Sequence, residues 1–244
     1  MAGIIEMLNV SFSAQSNLIV SDFSYSFEEG KTTALVGSSG SGKSTVLKLS
    51  AGLLVPDRGK IFFRDKEIFN MSRQENLSFR KEAAMVFQDS ALWANQTLYQ
   101  NLELPLKIHF PSMSAAGRKE RIVDVLREVG YNRDQGIRPA QLSMGEQKLI
   151  SFARAMICRP TLLFLDEWVE SLNESAAERL VQLVQRHQQE NKTVICVCHN
   201  FRIVKSLADH ILIIAGGKLF RSLSRDQLKE DSDLMEHVEK AIAS

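Results

Sequence analysis

Short apolar runs alternate along the chain with stretches in which apolar residues recur at helical spacing. The apolar runs lie at residues 32–36, 84–87, 162–165, 193–198 and 210–214. Runs this short, flanked by polar or turn residues, are typical of strands buried on both faces of a parallel sheet. Residues 4–27 instead alternate apolar and polar positions, which predicts an antiparallel β segment. A turn at residues 56–59 leads into a further strand at residues 60–63.

Several segments carry helix signals. One is indicated by apolar residues at helical spacing, ended by a glycine: Ile122, Val125, Leu126, Val129 and Gly130. Two more begin with capping boxes, Ser143 with Glu146 and Ser175 with Glu178. The helix from Ser143 is expected to end before Pro160. Strands that alternate with helices predict an α/β fold with a parallel sheet.

The segment between the first apolar run and the helical pattern of residues 46–54 reads GSSGSGKST. It fills every fixed position of the phosphate-binding loop G-x-x-x-x-G-K-[ST]. Its glycines allow the backbone to point successive N–H groups at triphosphate oxygens, and the helix that follows adds the positive end of its dipole. Lys43 is placed to reach the β- and γ-phosphate oxygens, and the Ser44 hydroxyl to ligate Mg²⁺. We therefore predict a nucleoside triphosphate site formed by Gly37, Ser38, Gly40, Ser41, Gly42, Lys43, Ser44 and Thr45.

A second candidate site follows the apolar run at residues 162–165, which ends abruptly in Asp166 and Glu167. Open α/β sheets bind their ligands at the carboxyl ends of the strands. Asp166 is suited to hold Mg²⁺, and Glu167 to orient or deprotonate the water that attacks the γ-phosphate. The alternative, a solvated Asp-Glu turn, would be favoured if the phosphate loop were absent.

Residues 142–155 read LSMGEQKLISFARA. A capping box alone marks only the start of a helix. The pattern L-S-x-G-E/Q between the phosphate loop and the acidic strand resembles the signature sequence of the ATP-binding cassette (ABC) ATPases. Gln88 in MVFQDS resembles the glutamine loop of that family, and His199 in VICVCHN resembles its switch histidine. The resemblance covers about residues 4 to 220.

The resemblance implies that ATP and Mg²⁺ are the cofactors and assigns roles to further residues. Gln88 would contact the metal together with Ser44 and Asp166, and would also contact the attacking water. His199 would hydrogen-bond the γ-phosphate; without the family pattern it would more often be a structural histidine. Ser143 and Gly145 would close over ATP held by a second copy of the chain, so that a head-to-tail homodimer encloses two ATP molecules.

Four positions depart from the family pattern. Ala14 stands where an aromatic usually stacks on adenine, and Phe12, two residues earlier on a strand, is expected to replace it, or ATP to bind less tightly. Met144 replaces a common glycine and would crowd or gate dimer closure. Trp168 replaces a proline, so the backbone after Glu167 is expected to be less restrained. Asn173 replaces an aspartate and removes a charge from the contact between subunits.

The predicted architecture is α/β: a P-loop NTPase core with a parallel sheet, an N-terminal antiparallel β segment and an inserted α-helical subdomain. We expect one ABC ATPase domain over residues 1–244. The core would comprise residues 1–88 and 160–221, the helical subdomain with the signature residues 89–159, and a short C-terminal helix residues 222–244.

Composition is that of an ordinary soluble globular protein, with 44% hydrophobic and 24% charged residues. A net charge of +1 gives no bulk attraction to nucleic acid, so no nucleic-acid partner is expected. No apolar stretch approaches a membrane span, and the N-terminus lacks a basic start, so no signal peptide is expected and the chain is assigned to the cytosol. Its three cysteines are interpreted as small core residues in a reducing compartment.

The expected partners are a second ATPase subunit and separate integral membrane permease subunits, with the chain peripheral on the cytoplasmic face of the inner membrane. In this family the segment after Gln88 docks the partner's helix, and Trp93 is an aromatic candidate for that contact; the alternative is that its apolar residues belong to the core. The sequence FQDSALW also resembles the corresponding segment in ATPase subunits of bacterial MCE-type lipid-transport systems. A soluble ABC ATPase for assembly, such as iron–sulfur cluster biogenesis, is the alternative function. A small-molecule kinase is disfavoured because it would leave the signature and His199 unexplained.

Overall fold

The structure is a computed structural model that describes residues 3–230. Its strands are β1 Gly3–Ala14, β2 Asn17–Glu28, β3 Thr32–Val36, β4 Arg58–Phe63, β5 Lys66–Glu67, β6 Ala83–Val86, β7 Leu162–Asp166, β8 Thr193–Val197, β9 His210–Ala215 and β10 Lys218–Ser224. Its helices are α1 Lys43–Ser50, α2 Arg73–Glu82, α3 Leu98–His109, α4 Ala115–Val129, α5 Met144–Met156, α6 Glu174–Gln189, α7 Phe201–Leu207 and α8 Arg225–Glu230.

Contacts along the chain divide it into two compact units. Of the described residues, the first unit contains residues 3–79 and 188–230, and the second unit contains residues 80–187. The domain boundaries expected from the sequence, at residues 88/89 and 159/160, stay a prediction. Within the described part of the chain, no helix has the length and apolar character that crossing a membrane requires.

The first unit contains two arrangements of strands. β1 lies between β2 and β4 and is antiparallel to both, as the alternating N-terminal pattern predicts. β3 pairs in parallel with β8 on one side and β9 on the other, and β10 is antiparallel to β9. Every residue of β3 and β8 is buried, which explains why both are continuous apolar runs.

The second unit contains the parallel pair β6 and β7 and the helices α3, α4 and α5, which pack on one another. α4 is capped at its C-terminal end by Gly130, which lies in the left-handed region at φ 79°. α5 begins with the predicted capping box. The Ser143 hydroxyl group accepts a hydrogen bond from the backbone N–H of Glu146, and the Glu146 carboxylate accepts one from the backbone N–H of Ser143. The predicted α/β class and helical subdomain are confirmed.

Several predicted element boundaries are wrong. The side chain of Asn173, and not that of Ser175, caps α6 by accepting from the N–H of Ala176 at 2.9 Å. α1 ends at Ser50, short of the apolar positions that suggested a longer helix. The helix expected from residue 222 begins at Arg225, because β10 continues to Ser224. The rest of that predicted helix, residues 231–244, lies outside the described residues.

Candidate nucleotide site

The phosphate loop of the first unit follows β3 and requires glycine at two positions. Gly37 has φ 147°, and a Cβ atom there would lie 2.2 Å from the carbonyl oxygen of Ile214. Gly42 has φ 99°, and a Cβ atom there would lie 3.0 Å from the carbonyl oxygen of Ile19. Backbone from β9 and β2 therefore approaches the loop too closely for a side chain, and only glycine adopts these conformations without strain.

Lys43 spans the phosphate loop from its C-terminal end to its beginning. Its ammonium group donates to the carbonyl oxygens of Gly37 at 2.7 Å and Ser38 at 2.8 Å, and only 5% of the residue is exposed. No side chain caps α1, whose N-cap residue is Gly42. A buried positive charge and the positive end of a helix dipole therefore face the same loop, which is the electrostatic environment that a polyphosphate requires.

His199 lies at the same sheet edge as the start of the phosphate loop. β3 and β8 are parallel, and Leu35 pairs with Val197. Gly37 and His199 each follow two residues after this pair, so both leave the carboxyl ends of adjacent strands. His199 is exposed, and the next residue, Asn200, caps α7 by accepting from the N–H of Ile203 at 3.2 Å. The register thus brings the predicted switch histidine to the end of β8 that adjoins the loop-bearing end of β3.

The second unit repeats this arrangement with Gln88 and Glu167. β6 and β7 are parallel, Val86 pairs with Leu165, and the two candidate residues again follow two positions later. The Gln88 Nε2 atom donates to the Glu167 Oε2 atom at 2.7 Å. Two residues separated by 79 positions in the sequence are therefore in direct contact.

Asp166 and Glu167 have different surroundings. Asp166 is the last residue of β7 and is wholly buried, whereas Glu167 is half-buried and has φ 45°, in the left-handed region. This positive φ turns the backbone directly after the strand. Trp168, which follows, is fully buried, and its ring centroid lies 5.8 Å from that of Phe152 in α5. This packing restrains the segment through the side chain, and the expectation that the backbone is less restrained than with a proline stays a prediction.

The signature residues lie at an exposed helix start. Ser143 is exposed, and its hydroxyl group is 3.0 Å from the Glu146 carboxylate, which also pairs with Arg133 at 2.6 Å. The hydrogen bond from Arg133, and then those from the backbone and hydroxyl group of Ser143, keep the pKa of Glu146 below its usual value. Met144 is 72% exposed. The signature residues of this unit therefore form a polar surface with one apolar side chain protruding from it.

Gly145 packs against the loop that leads to α6. A Cβ atom there would lie 2.9 Å from the carbonyl oxygen of Ser171. This loop continues to Asn173, whose side chain caps α6. A side chain at Gly145 would therefore push the signature and the loop apart.

Phe12, the predicted substitute for the adenine-stacking aromatic, lies on β1 and is half-buried. The pairing of β1 with β2 is irregular between Phe12 and Ser13. A bulge of this kind interrupts the alternation of faces, so the argument that Phe12 and Ala14 point to the same side is weakened. Its role in binding the base stays a prediction.

The segment after Gln88 is partly core and partly surface. Leu98 is wholly buried and Leu92 is half-buried, so the core alternative holds for Leu98. Trp93 is 44% exposed and borders a groove of about 400 Å³. The groove is also lined by Asn95, Gln96, Gln100, Glu103, Leu104 and Lys107.

Sequence reasoning did not identify Lys148, which occupies a buried position of α5. A lysine within a helix ordinarily predicts a solvated face, and only the place of Lys148 among the apolar positions of α5 departs from that expectation.

 Its neighbours on the helix, Ile150, Ser151 and Phe152, are all buried. A charged residue beside such positions is the available signal that its side chain has partners inside the protein.

A glycine-containing phosphate loop after one parallel strand and a buried acid as the last residue of another define a P-loop nucleotide-binding protein. The sequence pattern of the family described as ABC transporter matches residues 20–170. The chain belongs to the ABC transporter family.

Three relatives illustrate the range of this similarity. The uncharacterized ABC transporter ATP-binding protein YejF of Escherichia coli K12 is 33% identical over 83% of this chain and 39% of its own length. The methionine import ATP-binding protein MetN of Cutibacterium acnes is 29% identical over 92% of this chain and 62% of its own length. The intermembrane phospholipid transport system ATP-binding protein MlaF of Haemophilus influenzae is 30% identical over 95% of this chain and 88% of its own length. The chain thus spans less than two thirds of YejF and MetN but most of MlaF.

Solved structures agree with the fold. The ATP-binding cassette MJ0796, solved as a dimer in a post-hydrolysis state bound to ADP and Pi, has a TM-score of 0.84 and 25% sequence identity. The match covers 91% of this chain and 98% of that chain. The predicted α/β P-loop fold and the resemblance to ABC ATPases are confirmed.

Proposed function

We propose that this protein is the ATP-hydrolysing subunit of an ABC transporter, working as a dimer and driving separate membrane subunits. The observation that carries the proposal is the 2.7 Å hydrogen bond between Gln88 and Glu167 at the carboxyl ends of two parallel strands. A phosphate loop alone is common to many nucleotide-binding proteins, whereas a glutamine paired with a carboxylate supplies the groups that orient and deprotonate water. Family membership supports ATP as the nucleotide.

In the first unit, we assign phosphate binding to the loop of residues 37–45. Lys43 already lies across this loop, so little reorganisation is needed when phosphate arrives. His199 would donate a hydrogen bond to the γ-phosphate, consistent with its place at the sheet edge. Phe12 is the candidate platform for the adenine base.

In the second unit, we assign general-base catalysis to Glu167. Its carboxylate would accept a proton from the attacking water, while the Gln88 amide holds the carboxylate in place and orients the water. Loss of this carboxylate would leave the phosphate loop intact, so binding and hydrolysis are separable.

Mg²⁺ is the proposed metal, with Ser44, Gln88 and Asp166 as its protein-side oxygen donors, directly or through water. A hydroxyl, an amide and a carboxylate match the hard oxygen ligands that Mg²⁺ prefers, and the position of Asp166 at the buried end of β7 suits a charge held for a cation. A magnesium ion held there would supply positive charge to offset the phosphate charge.

The dimer is proposed to form through Ser143 and Gly145. An exposed serine at the start of α5 provides a hydroxyl and a helix N-terminus directed at an anion that another copy would bring. MJ0796, which has a similar fold, is described as a dimer bound to ADP and Pi. Two ATP molecules would be enclosed, one held by each phosphate loop.

Membrane subunits are proposed to dock in the groove beside Trp93, at the cytoplasmic face of the inner membrane. An exposed tryptophan beside Leu104, surrounded by polar residues, is suited to bind the apolar face of a partner helix.

A lipid is the proposed transported substrate. The support is the match to MlaF, which is named as part of an intermembrane phospholipid transport system. The match covers 88% of the length of MlaF.

The proposal is tested by two measurements on the full chain. Phosphate release from ATP is measured first, and a phosphorylated small molecule in place of free phosphate would contradict hydrolysis. The tagged chain is then recovered from detergent-solubilised membranes, and a membrane protein with several spans is expected to copurify. Recovery of soluble partners alone would contradict a transport function, and a partner complex without bound lipid, by mass spectrometry, would count against the lipid substrate.

A further inference from the structure

Lys148 of α5 contacts the glutamine loop from inside the second unit. Its ammonium group donates to the carbonyl oxygen of Gln88 at 2.5 Å and to that of Phe87 at 3.3 Å. Only 3% of the residue is exposed. A lysine is rarely buried to this extent unless its charge has partners, so its hydrogen bonds are the reason for its position.

Arg154, further along the same helix, holds the other end of this segment. Its guanidinium group donates to the carbonyl oxygens of Ser90 at 3.1 Å and Ala91 at 2.7 Å. The same group lies over the Trp93 ring, 5.4 Å from its centroid. Ser90 and Ala91 have φ of 63° and 44°, so the segment turns sharply where Arg154 binds it. Two cations of α5 thus hold four backbone carbonyl groups between residues 87 and 91.

Acidic groups surround the buried ammonium. The carboxylates that interact with it electrostatically are those of Glu170, Asp166, Glu167 and Asp89. Burial lowers the pKa of Lys148, and these carboxylates act in the opposite direction. An apolar side chain would fill the same space without the cost of burying a charge, so the ammonium group is retained for what it binds.

Lys148, Gln88 and Glu167 form a continuous chain of contacts. The backbone of Gln88 is held by Lys148 at 2.5 Å, and its side chain holds Glu167 at 2.7 Å. α5, which carries Lys148, begins directly after Ser143. A displacement of the signature residues would therefore be transmitted along a hydrogen-bonded path to the carboxylate assigned as the general base.

We propose that Lys148 is a positioning residue for ATP hydrolysis, which keeps the Gln88 amide on Glu167 and makes the glutamine loop move with the signature helix. The inference rests on the proposed function and adds a residue to it. Arg154 anchors the far end of the segment independently, so loss of Lys148 alone would release Gln88 without releasing the whole segment.

The test compares K148M, K148R and K119M in the full chain. Lys119 is an exposed lysine of α4 in the same unit, so K119M controls for the loss of a lysine charge. K148M is expected to lower kcat by about 10- to 100-fold, the effect of a small misplacement of catalytic groups. The KM for ATP should change little, since the phosphate loop is untouched. K148R should recover much of the rate, because a guanidinium group also donates to carbonyl oxygens.

Amide hydrogen exchange provides a readout that does not depend on activity. In K148M the peptide covering residues 86–91 should exchange faster, while peptides from α3 and α4 keep their wild-type rates. Unchanged exchange at residues 86–91 overturns the proposal, and so does faster exchange throughout residues 80–187, which would show a purely structural role. An unchanged kcat in K148M overturns it as well. A wild-type chain that fails to hydrolyse ATP would instead overturn the proposed function, and the catalytic role of Lys148 with it.

Discussion

Replacing Trp168 by alanine is expected to impair both stability and hydrolysis, because this side chain supports the backbone of Glu167. Trp168 is fully buried and packs on Phe152 with 5.8 Å between ring centroids. The residue before it, Glu167, has φ 45°, a conformation that costs a non-glycine residue about 1–3 kcal/mol. Such a conformation persists when the surrounding packing imposes it, and Trp168 is the adjacent residue that supplies this packing.

The magnitude follows from the cavity that the substitution would leave. Truncation of a buried tryptophan to alanine typically costs about 3–5 kcal/mol in the free energy of unfolding. Phenylalanine is the matched control, since it retains an aromatic ring against Phe152. The indole N–H of Trp168 has no hydrogen-bond partner among the described residues, so W168F also removes a buried donor. We therefore expect W168F to change the free energy of unfolding by less than about 1.5 kcal/mol.

Urea unfolding and steady-state ATP hydrolysis measure the two effects separately. At temperatures where W168A remains folded, its kcat should fall by about 10-fold or more, while W168F stays near the wild-type rate. A loss of less than about 1 kcal/mol in W168A would refute the packing argument. Equal losses of kcat in W168A and W168F would show that the indole itself, and not the buried ring, is required.

Three further substitutions address the assigned roles. E167Q should bind ATP as the wild type does yet lose about 100-fold or more in kcat, whereas the exposed E174Q should not; an active E167Q would remove Glu167 as the base. W93A should lose the membrane partner in detergent pull-down while phosphate release by the isolated chain persists, and retention of the partner would exclude this groove. F12A should weaken ATP affinity by about 5- to 150-fold if Phe12 stacks on adenine. Calorimetry measures this affinity, with F220A as the control because Phe220 is an exposed phenylalanine of β10. An unchanged affinity in F12A would exclude Phe12 from the site.

The elements that the sequence predicts best are those whose burial leaves a simple pattern. Each residue of β3, β7 and β8 is buried, and each strand is a short run bounded by polar residues. α2 was not predicted because Phe79 is its one buried residue, so it lacks an apolar face. α7 was missed because a helix of seven residues contains too few positions to show a period.

Candidate site residues were predictable where the local motif carries the chemistry. The phosphate loop is such a case, since conformation and charge are both encoded in consecutive residues. Contacts between distant residues were not predictable from local pattern, and Gln88 was selected through family resemblance alone. The role of Lys148 was not predictable because its partners are backbone carbonyl groups. Every residue carries such a group, so the sequence does not indicate which ones a lysine contacts.

Departures from the family pattern lie outside the strand pairing that brings the candidate catalytic residues together. Trp168 is accommodated by burial against Phe152, Asn173 by capping α6, and Met144 by exposure at the start of α5. None of the three changes the register of β6 and β7, which places Gln88 beside Glu167. A one-residue insertion between Val86 and Gln88 would disturb this contact far more, because Gln88 would no longer follow β6 at the same distance as Glu167 follows its paired residue in β7. Met144 and Asn173 are therefore expected to affect how the two copies of the proposed dimer assemble, whereas Trp168 supports the backbone of Glu167 within the second unit.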